Sequence, residues 1–124
     1  MIVATSEEPA YLTRISDGTN TILIDTAAAK GGGDGGMHPH DLLQAALASC
    51  ISITLRMYAA NHQMPLTGVL VRVDQERTSE ATVLRYEVEL QGDLTEEQRT
   101  RLLEISGRCP VGKTLSGPIR LERL

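Results

Sequence analysis

The chain has 124 residues, a formal net charge of −4 and no Phe or Trp. That length predicts one domain, residues 1–124, with a core of Leu, Ile, Val, Ala and Met. Sixteen acidic residues against twelve basic ones, no dense Lys/Arg cluster and only Tyr11, Tyr58 and Tyr86 as aromatics argue against nucleic acid and anionic membrane as partners.

The start, MIVATSEEPA, lacks the basic and apolar regions of a signal peptide. Residues 10–16 (AYLTRIS) read as a strand, Asp17-Gly18-Thr19-Asn20 as a turn, and residues 21–26 (TILIDT) as the returning strand of a hairpin. AAAKGGGDGGM follows, with five glycines within six residues, and reads as a flexible loop. It lacks the spacing of a phosphate-binding loop, and no Lys-Ser/Thr pair follows.

From Pro39 to His62 the pattern is helical, with no internal Gly or Pro and no formal charge from Leu42 to Leu55. Pro39 suits the first turn, where its missing N–H costs nothing. Cys50 shares a face with Leu43, Ala46, Leu47, Ile53, Thr54 and Met57. A helix apolar nearly all round calls for burial. One small domain offers little cover for so long a helix, which points to an oligomer. The charge-free run is too short to span a bilayer.

Met64-Pro65 stops this helix. TGVLVRVDQERT (67–78) and TVLRYEVELQ (82–91) alternate as two strands, with Ser79-Glu80 near the turn between them. Such a pattern suits an antiparallel sheet covered on one side. Thr95-Glu96-Glu97-Gln98 is a capping box that opens a helix over TEEQRTRLLEISGR. Cys109-Pro110 follows, then VGKTLSG as a turn or short helix and PIRLERL as a last edge strand. The order β-β-α-β-β-α-(α)-β is an α+β class.

Two thiols carry the candidate chemistry. Cys50 on the apolar helix reads as a packing residue or as a nucleophile. Cys109, between two helical segments, sits where helix-end N–H groups favour a thiolate. Widely spaced thiols without an export signal or a CxxC pair suggest reduced cysteines in the cytoplasm. Asp41, in the first helical turn, reads as a dipole-compatible surface carboxylate or as a group that positions substrate. It lies about 13.5 Å from Cys50 by helical rise, too far for direct contact. His38 and His40 form an H-x-H pair without a fourth ligand at a telling spacing, so solvated loop histidines are the plainer account. Arg14 and Arg56 are candidate thiolate-stabilising cations, each also readable as an ordinary surface charge.

HPHDLLQAALASCISITLRMYA, the alternating strands and GDLTEEQRTRLLEISGRCPVGKTL together resemble the OsmC/Ohr family over about residues 10–124, most closely its OsmC-like subgroup. The resemblance implies an OsmC-like fold: antiparallel sheets around a long buried central helix, in an intertwined homodimer. It implies a cysteine-based thiol peroxidase reducing organic hydroperoxides in oxidative stress defence. Cys50 would become a sulfenic acid, Cys109 would resolve it as a Cys50–Cys109 disulfide, and a dithiol reductant would restore both. No cofactor or metal is implied.

Three positions depart from the family pattern. His40 stands where better-studied members carry Glu ten positions before the first cysteine. Asp41 replaces the Glu of P-x-E-L-L, and Gly112 stands in a motif that is commonly C-P-V-H. The family's thiolate-stabilising arginine has no secure counterpart, Arg14 and Lys30 both being open. The alternative reading is a non-catalytic redox-sensing or small-ligand-binding module.

Overall fold

The computed structural model describes residues 1–124, which divide into two units, Met1–Leu43 and Gln44–Leu124. In the first unit β1 (Val3–Ser6), β2 (Thr13–Ser16) and β3 (Thr21–Ile24) form an antiparallel sheet in that order. β1 has no counterpart among the predicted strands. Its four residues, VATS, are too short to show an alternation, and only pairing with β2 defines them.

β2 is shorter than residues 10–16. Ala10 turns the chain at φ 50°, and a Leu12 N–H bond to the Pro9 carbonyl closes that turn. The predicted turn at 17–20 is present. The Asp17 carboxylate accepts the N–H groups of Thr19 and Asn20 at 2.8 and 2.6 Å, and Gly18 takes φ 101°.

β3 ends at Ile24 because Asp25 turns into the glycine stretch. Its carboxylate accepts N–H groups from Thr26 (2.7 Å), Gly33 (3.2 Å) and Gly35 (2.9 Å). The stretch expected to be a flexible loop is therefore tied at several points, with a 3-10 turn at Ala28–Lys30. Two of its glycines are required by close approach. A Cβ at Gly32 would lie 2.0 Å from the Thr26 carbonyl oxygen, and one at Gly36 would lie 2.1 Å from that of Leu23.

α1 spans Pro39–Asn61, one residue short of the predicted end. Gln63 at φ 51° and the Met64 N–H bond to the Ala59 carbonyl close it. In the second unit β4 (Leu66–Arg77) and β5 (Thr82–Gly92) form an antiparallel pair with Val71 opposite Val88. Val69, Val71, Val73, Leu84, Val88 and Leu90 turn one face of that pair to the core. The other face carries Arg72 with Glu87 and Glu89, and Arg85 with Glu76. These exposed pairs add little stability.

α2 (Glu96–Ser106) begins at the predicted capping box, Thr95 and Gln98 each accepting the other's backbone N–H. Arg99 ties α2 to the end of β5 through the carbonyls of Leu90 and Gly92, both at 3.1 Å. α3 (Pro110–Ser116) realises the short helix.

The core of this unit is Leu47, Ile51, Leu55, Ala59, Leu94, Leu102, Ile105 and Cys109. The long central helix thus buries one face within this chain. Leu43, Ile53 and Met57 on another face are exposed, because one sheet pair and two short helices cover only one side. The last segment is a correction: residues 117–124 form no strand and lie exposed. Their alternation suits a strand, yet they pair with neither sheet.

Candidate active site

Cys50 sits halfway along α1, between two kinds of surface. Leu47, one turn before, and the adjacent Ile51 are buried, while Ala46 and Ile53, one turn to either side, face outward. The thiol is therefore half-buried and packs against the edge of the core. Its polar neighbour is Thr54, one turn on, with Oγ1 4.0 Å from Sγ. The spacing of i and i+4 places that hydroxyl beside the sulfur.

Cys109 is built differently. Gly107 closes α2, Pro110 opens α3, and Cys109 between them is the N-cap of α3. Its backbone is extended, and its Sγ accepts the Gly112 N–H at 3.2 Å. The side chain is only 1 % exposed. Burial pushes the Cys109 thiol above its ordinary pKa; the Gly112 N–H opposes this, and interaction with the Cys50 thiol raises it further. Cys50, fifty-nine positions earlier in the sequence, thus packs against the same core cluster as Cys109.

Asp41 stays local. It accepts the His38 N–H at 2.9 Å, returning from the third helical residue to the residue before the helix. It therefore shapes the entry into α1, nine positions before Cys50 on the same helix. His38 reaches Asp34 at 3.2 Å, and His40 is exposed. No group of three His, Cys, Asp or Glu side chains is arranged to hold a metal ion.

Neither sulfur carries a hydrogen bond from an Arg or Lys. Arg14 pairs with Glu7 at 2.6 Å, and Lys30 and Arg56 are exposed. Arg101, not singled out by its sequence context, donates Nε to the Tyr58 hydroxyl at 2.9 Å and sits 5.6 Å from that ring. His62 also stacks on Tyr58, the two ring centroids 3.9 Å apart. This cluster fastens the end of α1 to α2. Forty-three positions separate Arg101 from Tyr58, so no local pattern could have signalled it.

The family described as OsmC-like protein matches residues 31–123. No curated protein matches the chain. Among solved structures the chain is similar to an OsmC-like protein from Mycoplasma pneumoniae, with TM-score 0.79 and 22% identity over 94% of this chain and 86% of that one. It is also similar to the organic hydroperoxide resistance protein OhrB of Bacillus subtilis, with TM-score 0.64 and 21% identity over 94% and 91%. A third similar structure is an organic hydroperoxide resistance protein, OsmC, from Legionella pneumophila, with TM-score 0.65 and 19% identity over 94% and 90%.

Proposed function

Because this chain belongs to the OsmC-like protein family, we propose that it is a cysteine-based peroxidase that reduces organic hydroperoxides. The observation that supports this reading most is that the half-buried Cys50 packs against the core cluster that contains the buried Cys109. Two of its structural relatives bear the name organic hydroperoxide resistance protein, which agrees with that chemistry.

In this reading the Cys50 thiolate attacks one peroxide oxygen. The O–O bond breaks, the alkoxide leaves and takes a proton as the alcohol, and Cys50 becomes a sulfenic acid. Cys109, as thiolate, attacks the Cys50 sulfur. A disulfide forms, and the hydroxyl leaves with a proton as water. A dithiol then returns both cysteines to thiols and is itself oxidised to a disulfide. Asp41 acts at a distance in this scheme, by holding the entry turn of α1.

A second copy of the chain completes the arrangement. Leu43, Ala46, Cys50, Ile53 and Met57 recur at alternating three- and four-residue steps, as in a helix–helix seam. Of these, Cys50 is half-buried and the other four are exposed in the single chain. A homodimer that pairs this seam would cover it and bring further groups to Cys50.

One observation favours the non-catalytic reading: within the chain no cation is bonded to either thiol. The two readings separate in one experiment. Fully reduced protein is mixed with cumene hydroperoxide or hydrogen peroxide in stopped flow, beside Cys50→Ser. The peroxidase reading expects rapid loss of the organic peroxide that disappears in the variant, and dimedone labelling of Cys50 in Cys109→Ser. Slow consumption that the variant leaves unchanged, with no dimedone adduct, leaves the binding or redox-sensing module standing.

A further inference from the structure

The two sulfurs meet different polar neighbours. Cys109 Sγ accepts a backbone N–H, from Gly112 at 3.2 Å. An amide N–H can only donate. Cys50 Sγ faces a hydroxyl instead, Thr54 Oγ1 at 4.0 Å, and either atom can be the donor. Such a partner follows a sulfur that changes state, because it can accept from a thiol and donate to a thiolate.

Thr54 is free for this because its hydroxyl is not spent on the backbone. A Ser or Thr inside a helix commonly turns its hydroxyl back to a carbonyl three or four residues earlier. Ser49 does so to Ala45 at 2.7 Å, Ser106 to Leu103 at 2.6 Å and Thr114 to Pro110 at 3.2 Å. Thr54 makes no such bond, and the sulfur one turn back is its hydrogen-bonding partner. Both side chains are half-buried at the edge of the core, where water competes less for the hydroxyl. From Leu42 to Leu55 α1 carries no charged side chain, so this stretch of helix offers the sulfur no ion in place of that hydroxyl.

We infer that Thr54 is the positioning residue of Cys50: its hydroxyl holds the sulfur and donates to the thiolate as it attacks. The inference rests on the peroxidase reading for the peroxide step, and on the geometry alone for the hold on the sulfur. In that step the S–O bond forms as the O–O bond breaks, and the leaving alkoxide takes its proton from water. Thr54 keeps its own proton throughout.

The test removes the hydroxyl and follows Cys50 first without peroxide. In Cys109→Ser protein Cys50 is the sole cysteine. Its alkylation by iodoacetamide at about pH 7 proceeds through the thiolate. Adding Thr54→Val, which keeps the β-branched shape, is expected to slow alkylation about tenfold, the scale of one hydrogen bond to a charged group. Thr54→Ala, a strong helix former, serves in its place should valine not pack at the core edge. Thr54→Ser returns the hydroxyl without the methyl and is expected to stay within about twofold of the parent. Ser52→Ala loses a hydroxyl from the opposite side of α1 and is also expected to stay within about twofold.

The same order of rates is expected for cumene hydroperoxide consumption by the two-cysteine protein. A folded Thr54→Val or Thr54→Ala protein that alkylates within about threefold of the parent would overturn the inference. So would a Thr54→Ser protein as slow as Thr54→Val, or an equal loss in Ser52→Ala. Failure of the peroxidase reading looks different. The parent itself would then leave hydroperoxide unconsumed, while alkylation of Cys50 would still follow the hydroxyl at position 54.

Discussion

The two units of the chain are held by different forces. Met1–Leu43 is organised by carboxylates that gather backbone N–H groups: Asp17 in the hairpin turn, Asp25 in the glycine stretch and Asp41 at the entry to α1. Its three strands are four residues each, too short to cover one another with apolar surface. Gln44–Leu124 is organised by apolar burial, with Ile51, Leu55 and Leu102 wholly enclosed. Each cysteine belongs to this second unit. A thiol pair needs fixed distances and a dry setting, which a packed core supplies and a hydrogen-bonded loop does not. The difference also separates two kinds of perturbation. Lost volume should damage the second unit, and lost negative charge should damage the first.

The largest effect is expected from Leu55→Ala. Leu55 has no exposed surface, so the substitution leaves a cavity and should cost about 2–5 kcal/mol in guanidinium unfolding. Ile53→Ala, two residues away on the exposed seam, should change the chain's own folding by no more than about 0.5 kcal/mol. It should instead weaken association, read as a lower mass at equal concentration in light scattering. Equal folding costs for the two would show that the seam, too, is part of the chain's stable core. A smaller loss, about 1 kcal/mol, is expected for Thr95→Ala in the same unfolding assay, since it removes half of the capping box of α2.

The second unit was the more legible in the sequence, for a physical reason. α1 and the β4–β5 pair carry long periodic patterns, and Thr95 to Gln98 is a local signal that forms its bonds within four residues. The candidate cysteines are marked by their motifs, but that Cys50 packs against the cluster holding Cys109 depends on the tertiary core, which no spacing encodes. β1 and the tail mark the opposite limits. VATS lacks a pattern yet finds a partner strand, whereas PIRLERL has the pattern and finds none within the chain. Nothing local singles out Asp25, because a single carboxylate before a glycine run resembles any other strand-end residue. Its role follows from Gly33 and Gly35 returning to it, eight and ten positions on.

Acid sharpens the comparison further, with the smallest expected effect on overall stability. The Asp17 carboxyl is lowered to about 2 from its ordinary value of 3.8, first by the Asn20 and then by the Thr19 backbone N–H. The Asp25 carboxyl is lowered too, chiefly by the Gly35 N–H and then the Thr26 N–H, against an opposing cost of burial. Both groups bind protons less readily folded than unfolded. Their stabilising contribution is therefore present above the unfolded pKa and is lost as pH falls through the folded one. Between about pH 4 and pH 2 the backbone amide resonances of Thr19, Asn20, Gly33 and Gly35 should shift in NMR spectra, while those of Ile51 and Leu55 stay in place. Asp25→Asn should abolish the movement at Gly33 and Gly35 and leave Thr19 and Asn20 titrating. If instead Ile51 and Leu55 moved in step with the glycines, the carboxylates would be holding the core as well as the loop, and the division of forces between the two units would fail.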